Sequence, residues 1–358
     1  MTAETNVRGF DPLKSASAAA RPRKPGFARE TEASPAEVTI AFEDNRHASS
    51  LFGSHDQNLA FLERRLGVEA TVRGNHVAIR GPADACQQAK KVLESLYDRV
   101  RRGEQVALGD VDGAIRMTLS QGSLFPPAEG DLARPGFAQV STRKKTIVAR
   151  TAAQDAYIRA LGKHELCFAT GPAGTGKTYI AVAWAAALIE RGEADRIILS
   201  RPAVEAGERL GFLPGDMKEK VDPYLRPLYD ALYDVMPPEK VERGMTSGMI
   251  EIAPLAFMRG RTLANAVVLL DEAQNTSSMQ MKMFLTRLGE NSRMIITGDP
   301  TQIDLPPGQV SGLAEAIGLL ENVEGVGVTR FSAQDVVRHE LVARIVRAYE
   351  GAHQSPKV

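Results

Sequence analysis

The chain has 358 residues, 44 Lys+Arg against 44 Asp+Glu, with 43% hydrophobic and 25% charged residues. This composition excludes a disordered or fibrous chain and is ample for a sizeable core with one smaller domain beside it. Balanced charge means that any affinity for nucleic acid has to come from local patches. The two cysteines, Cys86 and Cys167, belong to no C-x-x-C pair, and no His or Cys cluster has zinc spacing, so reduced, buried thiols are expected.

In chain order, residues 1–36 are rich in Ala, Pro, Arg and Ser without hydrophobic period, as in Ala18-Ala19-Ala20-Arg21-Pro22-Arg23-Lys24-Pro25. Such a segment buries too little to order itself and is expected to be a tail. It is either simply solvated or touches RNA through Arg21, Arg23 and Lys24. It has no apolar signal-peptide core, and the longest apolar stretch, Ile180 to Ile189, is too short to span a bilayer. A cytoplasmic protein with no membrane partner is expected.

Residues 37–105 read as strand, helix, glycine turn, helix, strand, hairpin, strand, helix. Leu59, Leu62 and Leu66 share one helical face, as do Ala89, Val92, Leu93 and Leu96. Val68 to Val72 and His76 to Ile79 flank Arg73-Gly74-Asn75, a hairpin turn. This order resembles a KH-type RNA-binding module, whose G-x-x-G loop between helices clamps a nucleotide backbone. Here the loop reads Gly53-Ser54-His55-Asp56. An aspartate replaces the second glycine and repels phosphate, so the reading stays open between an RNA-binding module and one that only packs on the rest of the protein. His47, His55 and His76 are expected at the surface.

Residues 106–140 are expected to form a linker with one short helix near Asp110 to Ser120, then the turn-rich stretch Gly122 to Gly136. The domain from 141 to 352 is expected to be α/β, a P-loop NTPase with a mostly parallel sheet flanked by helices; a tail covers 353–358. Its central signal is Gly171-Pro172-Ala173-Gly174-Thr175-Gly176-Lys177-Thr178, which fits G-x-x-x-x-G-K-[ST]. It follows the strand-like run Glu165 to Thr170 and precedes the alanine-rich helical stretch Tyr179 to Arg191. Glycines let backbone N–H groups wrap phosphates at a helix N-terminus, Lys177 reaches the β and γ phosphates, and Thr178 ligates Mg²⁺.

Val267-Val268-Leu269-Leu270-Asp271-Glu272 is an apolar run ending in two carboxylates, expected to be a strand buried on both faces. In the Walker B role Asp271 holds Mg²⁺, and Glu272 orients and deprotonates the attacking water. A third strand, Arg293 to Thr297, leads into Gly298-Asp299-Pro300-Thr301-Gln302, where Gln302 is the expected γ-phosphate sensor. Further strands are expected at Arg196 to Ser200, Ile250 to Ala253 and Val326 to Phe331, in parallel order. The P-loop, Asp-Glu-Ala-Gln at 271–274 and Gly-Asp-x-x-Gln together resemble the first RecA-like domain of superfamily 1 helicases.

Between these motifs stand Ser200-Arg201-Pro202-Ala203-Val204-Glu205-Ala206-Gly207-Glu208, Gly211-Phe212-Leu213-Pro214-Gly215-Asp216, Arg259-Gly260-Arg261-Thr262 and Asp335-Val336-Val337-Arg338-His339. With them the chain resembles the PhoH-like family, closely over about residues 140–350 and more loosely over about 37–107. The resemblance implies a bacterial, cytoplasmic ATPase of RecA-like fold that uses ATP and Mg²⁺ and is associated with RNA metabolism. It also implies a companion endoribonuclease that matures ribosomal RNA. Gln154 and Tyr157, one helical turn apart, match the family's adenine-recognising segment; a core-capping Gln and Tyr is the alternative. No Asn-Lys-x-Asp guanine motif occurs.

Only 181 residues follow Lys177, too few for a second motor domain. The cation that phosphoryl transfer needs opposite the P-loop is therefore expected in trans, from a homo-oligomeric ring, possible as a hexamer. Arg338 is the first candidate and Arg330 the second, against the alternative of a solvated surface arginine. Arg201, Arg209, Arg259 and Arg261 rise at the carboxyl edge of the sheet and are candidate contacts for single-stranded RNA. The same loops carry Glu205, Glu208, Asp216 and Glu219, so an intersubunit salt-bridge network is the competing reading. Three functional classes stand: an ATPase that remodels RNA, a slow ATP-gated switch acting through a partner, and a phosphotransferase.

Overall fold

The computed structural model describes residues 36–121, 137–202, 217–306 and 308–337. The expected tail up to residue 35, the stretch Gly122 to Gly136, Glu205, Glu208, Arg209, Asp216 and Arg338, and the tail 353–358 lie outside the described residues.

The first module runs β1 (Ala36–Ala41), α1 (Asn45–Phe52), a short 3-10 turn, α2 (Gln57–Leu66), β2 (Glu69–Arg73), β3 (His76–Gly81) and α3 (Ala83–Arg101). Its sheet has the order β1-β3-β2, antiparallel throughout. Alternation in β3 sends Val77 and Ile79 into the core, where Leu59 and Leu62 of α2 and Ala89, Val92, Leu93 and Leu96 of α3 meet them. Leu66 is only partly buried at the edge of that cluster. The β2–β3 turn is Gly74-Asn75, with Gly74 at φ 65°. Asn75 closes it onto the end of β1, accepting from the Phe42 N–H at 2.8 Å and donating its side-chain amide to the Phe42 carbonyl.

Gly53-Ser54-His55-Asp56 joins α1 to α2 with three left-handed residues, Gly53 at φ 76°, His55 at 53° and Asp56 at 55°. Asp56 thus occupies a conformation that glycine adopts without strain.

Helix α4 (Leu108–Gln121) was expected in a linker, yet it belongs to this module. Val111, Ala114 and Ile115, spaced i, i+3, i+4, enter the same cluster as α2 and α3. Across the expected boundary between the linker and the domain from 141, β4 (Gln139–Ser141) and β5 (Thr146–Val148) pair antiparallel. That hairpin is fastened by Thr142 Oγ1, which donates to the Val235 carbonyl at 2.7 Å, and by the Lys145–Asp234 ion pair at 2.8 Å.

The second module comprises α5 (Ala152–Lys163), β6 (Leu166–Thr170), α6 (Lys177–Arg191), β7 (Arg196–Arg201), α7 (Met217–Val235), α8 (Pro238–Ser247), β8 (Ile250–Pro254), β9 (Ala266–Leu270), α9 (Ser278–Leu285), β10 (Arg293–Gly298), α10 (Gly312–Leu320) and β11 (Val326–Arg330). Its six strands are all parallel in the order β11-β6-β10-β9-β7-β8. Period 2 divides each strand between two cores. Cys167, Ala169, Ile197, Leu199, Val267, Leu269 and Ile295 pack with α5, α6 and α7; Phe168, Ile198, Val268, Leu270, Met294 and Ile296 pack with α9 and α10. Every residue of β6 and β9 is buried, which is why they read as continuous apolar runs. Five alanines and few long side chains let α6 lie deep in the structure, buried at Ile180, Ala181, Val182, Ala183 and Ala185 to Leu188.

The two modules meet through α4. The Arg150 guanidinium lies 3.2 Å from Asp110 Oδ1, and a Cβ on Gly113 would come within 2.9 Å of the Arg150 Cα. Arg116 donates to the Gln334 carbonyl at 2.9 Å. Among the described residues, no helix is long and apolar enough to cross a membrane.

Candidate active site

The carboxyl ends of β6, β9 and β10 bring three loops to one edge of the sheet, and the strand order decides which ones. Because β10 lies between β6 and β9, the loop after it rises between the P-loop and the acidic pair.

The loop from Gly171 to Gly176 links β6 to α6. Gly171, Gly174 and Gly176 have φ of 140°, 84° and 86°, values that L side chains rarely adopt. At Gly171 there is also no space, since an added Cβ would sit 2.3 Å from the Phe331 carbonyl oxygen. Gly171→Ala is expected to destabilise the fold by about 1–3 kcal/mol and to distort the loop, read as a lower Tm together with lost ATP affinity. Wild-type values of both would show that glycine is not required there.

Gly176 caps α6 without a side-chain hydrogen bond, leaving the first N–H groups of the helix facing the loop. Lys177, 8% exposed, donates Nζ to the carbonyls of Gly171 at 2.6 Å and Pro172 at 2.8 Å. Burial pushes its pKa down, while the carboxylates of Asp299, Asp271 and Glu272 pull it back up.

Thr178 Oγ1 donates to Asp271 Oδ1 at 2.6 Å, and Thr297 Oγ1 donates to the same oxygen at 2.7 Å. A hydroxyl and a carboxylate so placed are hard oxygen donors that fit Mg²⁺. The two expected metal residues, 93 positions apart in sequence, are thus in direct contact.

Glu272 follows Asp271 with left-handed backbone, φ 52° and ψ 38°, a strained conformation for a non-glycine residue of the kind that collects at functional sites. Its Oε1 accepts from Arg201 Nη2 at 2.7 Å and its Oε2 from Gln274 Nε2 at 2.6 Å. Gln274 in turn accepts the Asp299 N–H on Oε1 at 2.9 Å, and Gln302 donates its amide to Asp299 Oδ2 at 2.8 Å. A chain of hydrogen bonds therefore runs from Arg201 through Glu272, Gln274 and Asp299 to Gln302. Gln274 is the last residue of Asp-Glu-Ala-Gln, and its linking role comes from Glu272 and Asp299, neighbours that the fold brings to its amide.

Some expected site residues do other work in this structure. Gln154, expected at the adenine edge, is 5% exposed and uses both ends of its amide on backbone, accepting from Arg150 N at 2.8 Å and donating to the Thr175 carbonyl at 2.9 Å. It braces the P-loop from behind. Tyr157 is fully buried, its ring edge-on to Phe331 at 5.7 Å, and burial pushes its hydroxyl pKa well up. Core capping, the alternative reading of this pair, describes Tyr157.

Arg201 and Arg261, expected to meet RNA, are ion-paired within the protein. Arg201 holds Glu272, and Arg261 forms a two-pronged pair with Glu251 at 2.6 and 2.7 Å. That pairing lowers the Glu251 pKa and raises that of Arg261. Arg259 is exposed. Arg330, the second candidate for a trans-acting cation, pairs with Glu321. Both cysteines are free and buried, and burial pushes the Cys167 pKa up to about 12.

Residues 146–350 match the family described as PhoH-like protein. A "PhoH-like protein" of Bacillus subtilis is 48% identical over 305 residues, covering 85% of this chain and 94% of that protein. One from Mycobacterium tuberculosis strain H37Rv is 49% identical over 300 residues, 84% of each. The chain belongs to the PhoH-like family.

"Protein PhoH" of Escherichia coli K12 is 50% identical over 216 residues, 60% of this chain and 61% of that protein. The family match leaves the first module outside it, although the Bacillus relative is similar over most of the chain. Among solved structures, the Sulfolobus solfataricus SWI2/SNF2 ATPase core in complex with dsDNA is 13% identical and superposes with a TM-score of 0.30 over 56% of this chain and 46% of that one, too distant a likeness to bear on function. PhoH family membership and the P-loop geometry together describe a nucleotide-binding ATPase.

Proposed function

We propose that this PhoH-family protein binds ATP with Mg²⁺, hydrolyses it, and couples turnover to single-stranded RNA in the cytoplasm. The observation that carries the reading is the 2.6 Å contact between Thr178 and Asp271, with Glu272 next in the chain and Lys177 one residue before Thr178. In this reading the P-loop N–H groups and Lys177 hold the phosphates. Bound by Thr178 and Asp271, Mg²⁺ supplies neutralisation of charge on the phosphate oxygens. Glu272 takes a proton from water as the water oxygen bonds to the γ-phosphorus and the bond to the β,γ-bridging oxygen breaks, leaving ADP and phosphate. Gln302, tied to Asp299 in the loop after β10, acts in this reading as the sensor of that change.

A homo-oligomeric ring with Arg338 acting in trans, RNA contact through the first module and Arg259, and a KH-type identity for that module belong to the same proposal. The β1-β3-β2 antiparallel order with two successive helices after β1 supports the last of these. The engagement of Arg201 and Arg261 with Glu272 and Glu251 favours a second reading: a slow ATP-gated switch acting through a protein partner such as an endoribonuclease that matures ribosomal RNA.

Steady-state ATP hydrolysis with and without single-stranded RNA separates the two, with Glu272→Gln as the control for contaminating ATPases. The first reading expects RNA stimulation of severalfold that the variant abolishes. Hydrolysis sensitive to the variant but indifferent to RNA would transfer the assignment to the switch.

A further inference from the structure

We infer that Arg201 is a positioning residue that restrains Glu272 and ties the release of this carboxylate to helix α7. The inference rests on Glu272 being the base of the proposed hydrolysis.

Both oxygens of the Glu272 carboxylate are held by donors, and the two donors differ in how they can leave. Gln274 is 1% exposed, and its amide is fixed from the far side by the Asp299 N–H. With Oε1 accepting there, Nε2 has to face Glu272. Oxygen Oε2 is therefore engaged by a group packed in the sheet edge.

Arg201 differs. Its side chain is 20% exposed, so it has solvent to swing into, and its grip on Oε1 is a charge-assisted hydrogen bond, the stronger class. A carboxylate oxygen that accepts from a guanidinium has one lone pair and its direction committed to that cation, so Oε1 turns toward water more freely when Arg201 withdraws.

The second donor of Arg201 couples this step to another element. Nη1 donates to the Tyr224 carbonyl of α7 at 2.8 Å, while Nη2 holds Glu272. Helix α7 is anchored beyond that point by Leu225, Leu228 and Leu232 in the core, so a shift at Tyr224 moves one end of the guanidinium fork while Glu272 holds the other. The planar fork keeps the two bonds in fixed relation. The left-handed backbone of Glu272 places the carboxylate at the end of this fork; an extended residue there would direct it elsewhere. Arg201 stands in cis, at the end of a strand adjacent to β9, and so differs in role from a trans-acting cation on the γ-phosphate.

The test is ATP hydrolysis and equilibrium ATP binding by the full chain carrying Arg201→Ala, Arg201→Gln or Arg201→Lys, each with and without Glu272→Gln. Release of one charge-assisted hydrogen bond is expected to raise basal kcat about tenfold in Arg201→Ala, with KM for ATP within about twofold of wild type. Arg201→Lys, which keeps a cation and part of the reach, is expected to return kcat toward the wild-type value. Arg201→Gln preserves much of the side-chain volume and serves if the alanine variant fails to fold, judged by its Tm.

A kcat that is unchanged or lower in a folded variant that still binds ATP would overturn the restraint. A structural defect alone would not raise kcat while leaving KM in place. Failure of the underlying ATPase reading is distinguishable, because then no hydrolysis in any Arg201 background would depend on Glu272.

Discussion

Lys177→Ala is expected to weaken ATP binding by about a hundredfold or more while the fold survives. The ammonium is already desolvated and held at the mouth of the loop by two backbone carbonyls, so its contacts to phosphate would form with little reorganisation. Each hydrogen bond to a charged group contributes about 1.5–3 kcal/mol, and 1.4 kcal/mol is tenfold in affinity. Removing the cation also leaves Asp299, Asp271 and Glu272, the three carboxylates that act on Lys177, facing a polyphosphate without it. Calorimetric titration with Mg·ATP, alongside a thermal melt, measures both consequences. Wild-type affinity in the folded variant would remove the P-loop from the nucleotide site.

Glu272→Gln is expected to separate binding from chemistry. Glutamine is nearly isosteric and can still accept from Arg201, at the cost of turning its amide NH2 toward the Gln274 donor, and it cannot take a proton from water. General-base catalysis contributes about 10²–10⁴-fold, so single-turnover hydrolysis should slow by about a hundredfold at least. The contacts of Glu272 are with Arg201 and Gln274 rather than with the P-loop, so ATP affinity should stay within a few-fold of wild type. Hydrolysis at the wild-type rate would displace Glu272 as the base and leave the binding site intact. Loss of binding instead would mean that Glu272 holds the loops together through the hydrogen-bond chain to Gln302.

The arginines bear on what drives the cycle. A surface that binds RNA phosphates needs cations not already neutralised. Arg261 is bound to Glu251 on the edge strand β8, and Arg201 to Glu272. Of the three candidates among the described residues, Arg259 alone is exposed without such a pair. RNA stimulation, if measured, is then expected to depend on Arg259 and the first module more than on Arg261.

Elements with strong local signals were legible in the residues alone. The glycine pattern of 171–176 specified the loop because only glycine tolerates its φ values, and the apolar runs of β6 and β9 specified doubly buried strands because no polar face interrupts them. The helical faces of α2 and α3 followed from spacing alone. Whatever depends on strand order came from long-range packing. Register sets Ser200 beside Leu270, so the next residue along β7, Arg201, arrives at Glu272 from 71 positions away; nothing local distinguishes it from an arginine aimed at solvent. Gln154 and Tyr157 turned inward because α5 packs against the P-loop and β11, and α4 joined the first module because Val111, Ala114 and Ile115 found apolar partners on α2 and α3. Periodicity reports which face of an element is apolar, but the partner that covers it is chosen by long-range packing, and that choice positioned the groups around Glu272.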